Sequence, residues 1–190
     1  GEDTLSLHDA LPIWCVMSDT KTKYPSTSST ALTIDLASLA SGSAGVYTAG
    51  RESTAVDNTS NVDVDHLLAG KIRTGTSPTA SRSINVYVYA NISSSSGTPT
   101  YPDVLDGTDS AETFTSANVM NSAVRLAASM LTDNTSDRDY FFGPVSVASL
   151  FGGVLPKFWG VYVAHDSGVN LNSTGGNHVL SYERIQAQTV

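Results

Sequence analysis

The chain has 190 residues, a formal net charge of −8 and only 15% charged residues. This acidic balance does not suit a surface that tracks nucleic-acid phosphates, so we expect no nucleic-acid partner. No apolar run approaches the roughly 18 residues of a membrane span, so we expect no membrane partner either. The length suits one domain with a sizeable core.

Residues 4–13 read Thr-Leu-Ser-Leu-His-Asp-Ala-Leu-Pro-Ile, which resembles one reading frame of a common sequencing adapter. We therefore expect residues 1–16 to be a non-native artefact, Met17 to be the native start, and the gene to come from an assembled environmental sample. The alternatives are a genuine amphipathic segment or a degenerate signal peptide, which would need a basic n-region and a longer apolar core. Without Cys15, the one cysteine, a disulfide or thiolate metal site is excluded.

The next segments predict an arm followed by one domain over residues 31–190. Residues 17–30 are polar, with Lys21, Lys23 and many Ser and Thr residues, and predict a flexible N-terminal arm. Leu32, Ile34 and Leu36 alternate with polar neighbours and predict the first strand. A weak strand is predicted at residues 51–56, followed by a polar turn at residues 57–61.

Two stronger strand patterns follow, over residues 62–74 and 83–92. In the second, Ile84, Val86 and Val88 share one face, and Tyr87 and Tyr89 share the other. We expect these two strands to form a hairpin joined by a loop of about seven residues.

Residues 93–116 form the longest irregular stretch, and such loops are usually functional or mobile. Its acidic residues Asp103, Asp106, Asp109 and Glu112 could bind calcium, with Asp103, Asp106 and Asp109 as weak candidates. Residues 119–131 have Ala-rich helical propensity but also alternate, and we predict a strand there.

The C-terminal third completes a picture of about eight strands. Residues 140–150 predict a strand broken at Gly143-Pro144, which implies an edge or a bend. Residues 158–165, which include Trp159, predict a second central strand, and residues 178–188 a closing strand. Short strands separated by frequent turns predict an all-β fold, a jelly-roll-like antiparallel β-sandwich. Strand–helix–strand alternation is missing, which argues against a doubly wound sheet.

Little in the sequence points to catalysis, and we expect neither an enzyme nor a cofactor. His66, His165 and His178 could bind a metal or serve a hydrolase only if they converge with carboxylates. His165 and His178 could meet across a hairpin, but two polar strand ends are the simpler interpretation. The Asp63-x-Asp65 pair could bind calcium or act on a sugar, but we favour a solvated strand face.

Tyr87, Tyr89 and Trp159 are the aromatic residues that we predict to form a contact face. Exposed aromatic faces serve as subunit contacts or as sugar-stacking platforms. We favour a subunit contact, and keep a carbohydrate-binding module, on a virion or secreted, as the alternative.

Several segments resemble a group of small, uncharacterised virion structural proteins of tailed bacteriophages. The resemblance lies in Met17-Ser-Asp-Thr-Lys-Thr-Lys-Tyr, Ser53-Thr-Ala-Val-Asp-Asn-Thr-Ser-Asn61, Ile84-Asn-Val-Tyr-Val-Tyr-Ala90, Phe142-Gly-Pro-Val-Ser-Val-Ala148, Phe151-Gly-Gly-Val-Leu-Pro156 and Gln186-Ala-Gln-Thr-Val190. It implies a capsid-decoration or tail component located in the virion, and gives no active site. The expected partners are other virion proteins and further copies of the chain, with a host-surface glycan as an additional candidate.

Overall fold

The structure, a computed structural model, describes residues 20–61, 63–95 and 97–189. The expected artefact at residues 1–16 and the first three residues of the expected arm lie outside these ranges. The fold is an all-β antiparallel sandwich, which confirms the predicted fold class. The described residues contain thirteen strands, several very short, where about eight were expected.

The strands and helices are numbered in chain order. The strands are β1 (Thr20–Lys23), β2 (Thr30–Ala31), β3 (Ala49–Glu52), β4 (Val56–Asp57), β5 (Asp63–Arg73), β6 (Ser83–Ala90), β7 (Ser93–Ser95), β8 (Thr98–Thr100), β9 (Ser110–Thr113), β10 (Arg125–Leu131), β11 (Asp139–Ser146), β12 (Phe158–His165) and β13 (Val179–Thr189). The helices are α1 (Ala117–Ala123) and α2 (Val147–Leu150), with a 3-10 turn at Gly175–Asn177.

Two sheets form the layers of the sandwich. Sheet A has the order β1-β13-β5-β11, and β2 pairs with β13 on the same side as β1. Sheet B has the order β10-β6-β12-β3-β9, and β4 extends the line of β3 along β12. Strands β7 and β8 form a separate hairpin.

The main core lies between the two sheets. Leu68, Ile72 and Leu180 contribute from sheet A, and each is at most 3% exposed. The inward residues of β6 and β12 meet them from sheet B, and they include Val86 and Trp159. The face of β6 that carries Ile84, Val86 and Val88 is therefore the buried apolar face that the alternation predicted.

A second apolar cluster covers the outer face of sheet B. Tyr87, Tyr89 and Tyr162 point away from the main core and pack against residues 101–124, which contribute chiefly Tyr101 and Phe114. The central strands of sheet B are thus buried on both faces. The long stretch that we expected to be a functional or mobile loop forms this cover, because its few apolar residues are buried here.

Aromatic rings lie over glycines on neighbouring strands at two points of sheet B. Tyr89 is paired with Gly160, and a Cβ added at Gly160 would overlap the Tyr89 ring. The Tyr162 ring lies in the same way over Gly50. An aromatic ring over a strand glycine protects backbone that lacks its own side chain.

The expected hairpin between residues 62–74 and 83–92 is wrong. Strand β5 pairs with β11 and β13 in sheet A, whereas β6 pairs with β10 and β12 in sheet B. The connecting residues cross from one layer to the other. Alternation identified both strands but carries no information on which partner each one takes.

Three other expectations met different outcomes. Residues 119–131 divide between helix α1, which starts at Ala117 after the Ser116 cap, and strand β10, so the single strand was only half right. Strand β11 is an edge strand with a register shift between Phe142 and Val145, as Gly143-Pro144 predicted. The expected arm, residues 17–30, contains strand β1 and the first residue of β2, and both strands pair with β13.

Because Gly160 lies under the Tyr89 ring, we expect Gly160→Ala to lower the free energy of unfolding by about 1–3 kcal/mol through overpacking. Gly176→Ala is the matched control, since a Cβ there has no atom within 4 Å. Urea unfolding monitored by tryptophan fluorescence measures both. Equal stabilities of the two variants would contradict this account of Gly160.

Candidate functional site

A buried polar network connects the two sheets at His66. The Trp159 indole N–H of sheet B donates to His66 Nδ1 at 2.9 Å, and His66 Nε2 lies 3.1 Å from Asp63 Oδ2. Arg184 Nε donates to the same carboxylate oxygen at 2.7 Å, and Gln186 Nε2 donates to Asp63 Oδ1 at 2.9 Å. His66 is fully buried.

A β-bulge at Val64 brings Asp63 into this network. Asp65 pairs with Ile185, but Asp63 pairs with Gln186, so two residues of β5 oppose one residue of β13. The extra residue turns Asp63 onto the inner face beside His66, while Val64 is 48% exposed. The expectation that Asp63 and Asp65 form a solvated face is therefore wrong for Asp63.

The hydrogen bonds fix the tautomer and charge of the network. An indole N–H can only donate, so His66 Nδ1 accepts and Nε2–H donates to Asp63. Burial lowers the pKa of His66, despite the neighbouring Asp63. Burial would raise the pKa of Asp63, but hydrogen bonds from Arg184 and His66 outweigh it and lower that pKa. Both ring nitrogens are occupied, so this histidine ties the two sheets together and has no free nitrogen for general-base chemistry.

His165 and His178 each hold a loop in place. His165 Nε2 lies 3.0 Å from the carbonyl oxygen of Leu39, and Nδ1 lies 2.9 Å from Ser167 Oγ. His178 Nε2 lies 2.9 Å from the carbonyl oxygen of Asn172. The two rings share no hydrogen bond, and burial lowers the pKa of both. The histidine–carboxylate arrangement that a hydrolase would need is not formed by these residues.

Each of three acidic side chains in the long stretch bonds to a different partner. Asp103 accepts from the Thr115 backbone N–H at 2.9 Å, and Asp106 accepts from the Thr108 N–H at 2.7 Å. Asp109 pairs with Arg51 at 2.6 Å. Within the part of the chain that the structure describes, no three His, Cys, Asp or Glu side chains converge as ligands of one metal ion. The weak calcium candidates thus act as turn and loop anchors here.

Glu52 is a buried carboxylate that sequence reasoning missed. It is fully buried at the end of β3 and accepts the N–H groups of Asp106 at 3.0 Å and Gly107 at 3.2 Å. Burial raises the pKa of Glu52, and these backbone donors oppose the rise. Its role is to fasten the covering stretch to sheet B. A glutamate at the end of a weak strand gave no sequence signal of this.

The predicted contact face of Tyr87, Tyr89 and Trp159 is wrong. Tyr87 is 8% exposed, and Tyr89 and Trp159 are fully buried. Trp159 points into the main core, whereas the tyrosines lie on the opposite face beneath residues 101–124. The physical reason is that this stretch, expected to stand apart, covers the tyrosine face.

Three of the nine large apolar side chains that are exposed among the described residues lie on two edge strands. In the described part of the chain, β10 and β11 each pair on one side only. Leu126 and Leu131 on β10 are 52% and 71% exposed, and Phe141 on β11 is 70% exposed. The strands lie against each other, and the Tyr140 hydroxyl accepts from the Asp133 N–H in the connection between them at 2.9 Å. We call Leu126, Leu131 and Phe141 the edge surface.

Comparisons with known proteins identify no relative of this chain. No protein-family model, curated protein or solved structure matches the chain. None of the helices within residues 20–61, 63–95 and 97–189 has the length and apolar character needed to cross a membrane.

The buried histidines predict a loss of stability in mild acid. In the unfolded chain each ring takes up a proton near the ordinary pKa of 6.5, whereas the folded chain resists protonation of His66, His165 and His178. The contribution of these histidines to the free energy of unfolding is therefore fully present above about pH 6.5 and falls below it, by at most about 1.4 kcal/mol per pH unit for each histidine, until its folded-state pKa is reached. Urea unfolding between pH 7.5 and 5.5 should show His66→Gln with a shallower slope than the natural chain. An unchanged slope would contradict the neutral, buried state of His66.

Removing the charge of Glu52 should loosen the cover of sheet B. We expect Glu52→Gln to cost about 1–3 kcal/mol, because the amide nitrogen faces an N–H group that then has no acceptor. Hydrogen exchange at Asp106 and Gly107 should accelerate. Glu112→Gln is the matched control, since Glu112 accepts only from the Ser110 hydroxyl among the described hydrogen bonds. Equal exchange in both variants would argue against the anchoring role.

Proposed function

We propose that this chain is a structural protein of a tailed-bacteriophage particle, in the capsid decoration or the tail, that works through contacts with other subunits and without catalysis. The resemblance of segments spread between Met17 and Val190 supports the virion context. The edge surface is the structural observation that supports subunit contacts.

The edge surface is unusual for a protein that stays monomeric. Soluble β proteins blunt their open edges with charged residues, prolines or bulges, because unpaired strands associate. Here β11 does have a bulge near Gly143, yet both edges present large apolar side chains to solvent. Clustered exposed apolar residues mark protein contact sites.

The structure does not support the alternative function of carbohydrate binding. It required an exposed aromatic platform or a calcium loop. Tyr87, Tyr89 and Trp159 are buried, and the acidic residues of the long stretch are separated. No specific observation of the structure favours this function.

Light scattering of the full chain across a range of concentrations, under reducing conditions, tests the proposal. We expect a discrete oligomer that Leu131→Lys and Phe141→Lys dissociate, because a lysine in an apolar contact must lose its hydration. Ile92→Lys is the matched control, since Ile92 is 69% exposed but lies outside the strands. A strict monomer, or equal dissociation by all three variants, would contradict a role for the edge surface.

A further inference from the structure

The other side of sheet A ends in a thin ribbon. Strand β13 pairs with β5 only as far as Gln186, and its last described residues pair with β1 alone. The pairs run from Lys23 with Gln186 to Thr20 with Thr189. We call β1 together with residues 186–189 the N-terminal ribbon.

The N-terminal ribbon makes no contribution to the core. All four residues of β1 are exposed, as are residues 187–189. A two-stranded ribbon without an apolar face is marginally stable in water. Backbone pairing with β13 therefore holds β1 in place, and any equivalent β13 edge offers the same hydrogen bonds.

The connection from β1 to β2 has six residues and spans at most about 20 Å when it is extended. Residues 24–29 separate β1 from β2 and arch over a cavity of about 380 Å³ lined by Tyr24, Ser29 and residues of sheet A. Tyr24 is 55% exposed. By contrast β2 leads directly to Leu32, which is 8% exposed in the main core. Movement of β1 would break no core contact, whereas movement of β2 would pull on Leu32.

The charges of the chain are compatible with a second copy as the acceptor. Lys21 and Lys23 are the charged residues of the ribbon, and they give it a charge of +2. Residues 24–185 contain 14 acidic and 8 basic residues, so their net charge is 8 − 14 = −6. The acidic body of a second copy attracts this basic strand as strongly as its own body does, so exchange has no electrostatic cost.

We propose that β1 is exchanged between copies, so that β1 of one subunit pairs with residues 186–189 of β13 in its neighbour. This inference rests on the proposed assembly function, because exchange requires neighbours at a high effective concentration. Exchange of an identical element is a route to oligomers that needs no new interface chemistry.

Cross-linking between single-cysteine variants tests the exchange. Thr22 and Ala187 face each other in the ribbon, so full-length Thr22→Cys and Ala187→Cys chains are prepared with Cys15→Ser and with tags of different size. The two are mixed and oxidised. We expect a disulfide-linked heterodimer that contains one chain of each kind, because opposite residues of an antiparallel pair lie within reach of a disulfide.

Ala31 and Ser181, which face each other between β2 and β13, provide the matched control. A mixture of Ala31→Cys and Ser181→Cys chains should give no heterodimer, whereas the Ala31→Cys/Ser181→Cys double variant should close within one chain. The exchange is overturned if Thr22→Cys and Ala187→Cys form a disulfide only inside single chains that carry both substitutions. It is also overturned if the two mixtures give equal amounts of heterodimer. The light-scattering test of the edge surface is independent, so failure of exchange leaves the assembly proposal standing.

Discussion

Burial of strands β6 and β12 on both faces is the constraint on which the rest of the structure depends. Both strands are almost continuously buried, which is typical of parallel sheets covered by helices and uncommon in antiparallel sandwiches. Sheet A covers one face, and residues 101–124 must cover the other. Glu52 supplies a buried acceptor for two backbone N–H groups of that cover, so a polar group that is costly to bury also fixes the position of the covering stretch.

The same constraint explains why the histidines are unavailable for chemistry. A dry interface between two sheets leaves few polar partners, and a buried donor without an acceptor is expensive. His66 resolves this by accepting from Trp159 across the layers and donating to Asp63 within its own sheet. His165 solves a comparable problem by contacting the carbonyl oxygen of Leu39. Their polarity contributes to specific packing of the fold.

The sequence was sufficient for the fold class, the β6 and β12 strands, and the edge position implied by Gly143-Pro144, because these follow from local periodicity and backbone chemistry. Strand partners are non-local, so alternation could not show that residues 62–74 and 83–92 enter different sheets. The bulge at Val64 has no local signature, and it alone turns Asp63 inward. Tyr87 and Tyr89 alternate with apolar residues as a solvated face would, and only the distant Tyr101 and Phe114 show that this face is covered.

Phe141 of the edge surface and the N-terminal ribbon lie at opposite edges of sheet A, since β11 is at one end of its strand order and β1 at the other, while Leu126 and Leu131 lie on edge strand β10 of sheet B. An exchange between two N-terminal ribbons and a contact between two edge surfaces each join like patches, so the two together link subunits in series. Such contacts close into a ring if the rotation per subunit permits, and otherwise extend as a chain. In such an assembly, burial of apolar side chains would stabilise the contact at the edge surface. Backbone hydrogen bonds of the exchanged β1 strands would stabilise the other contact.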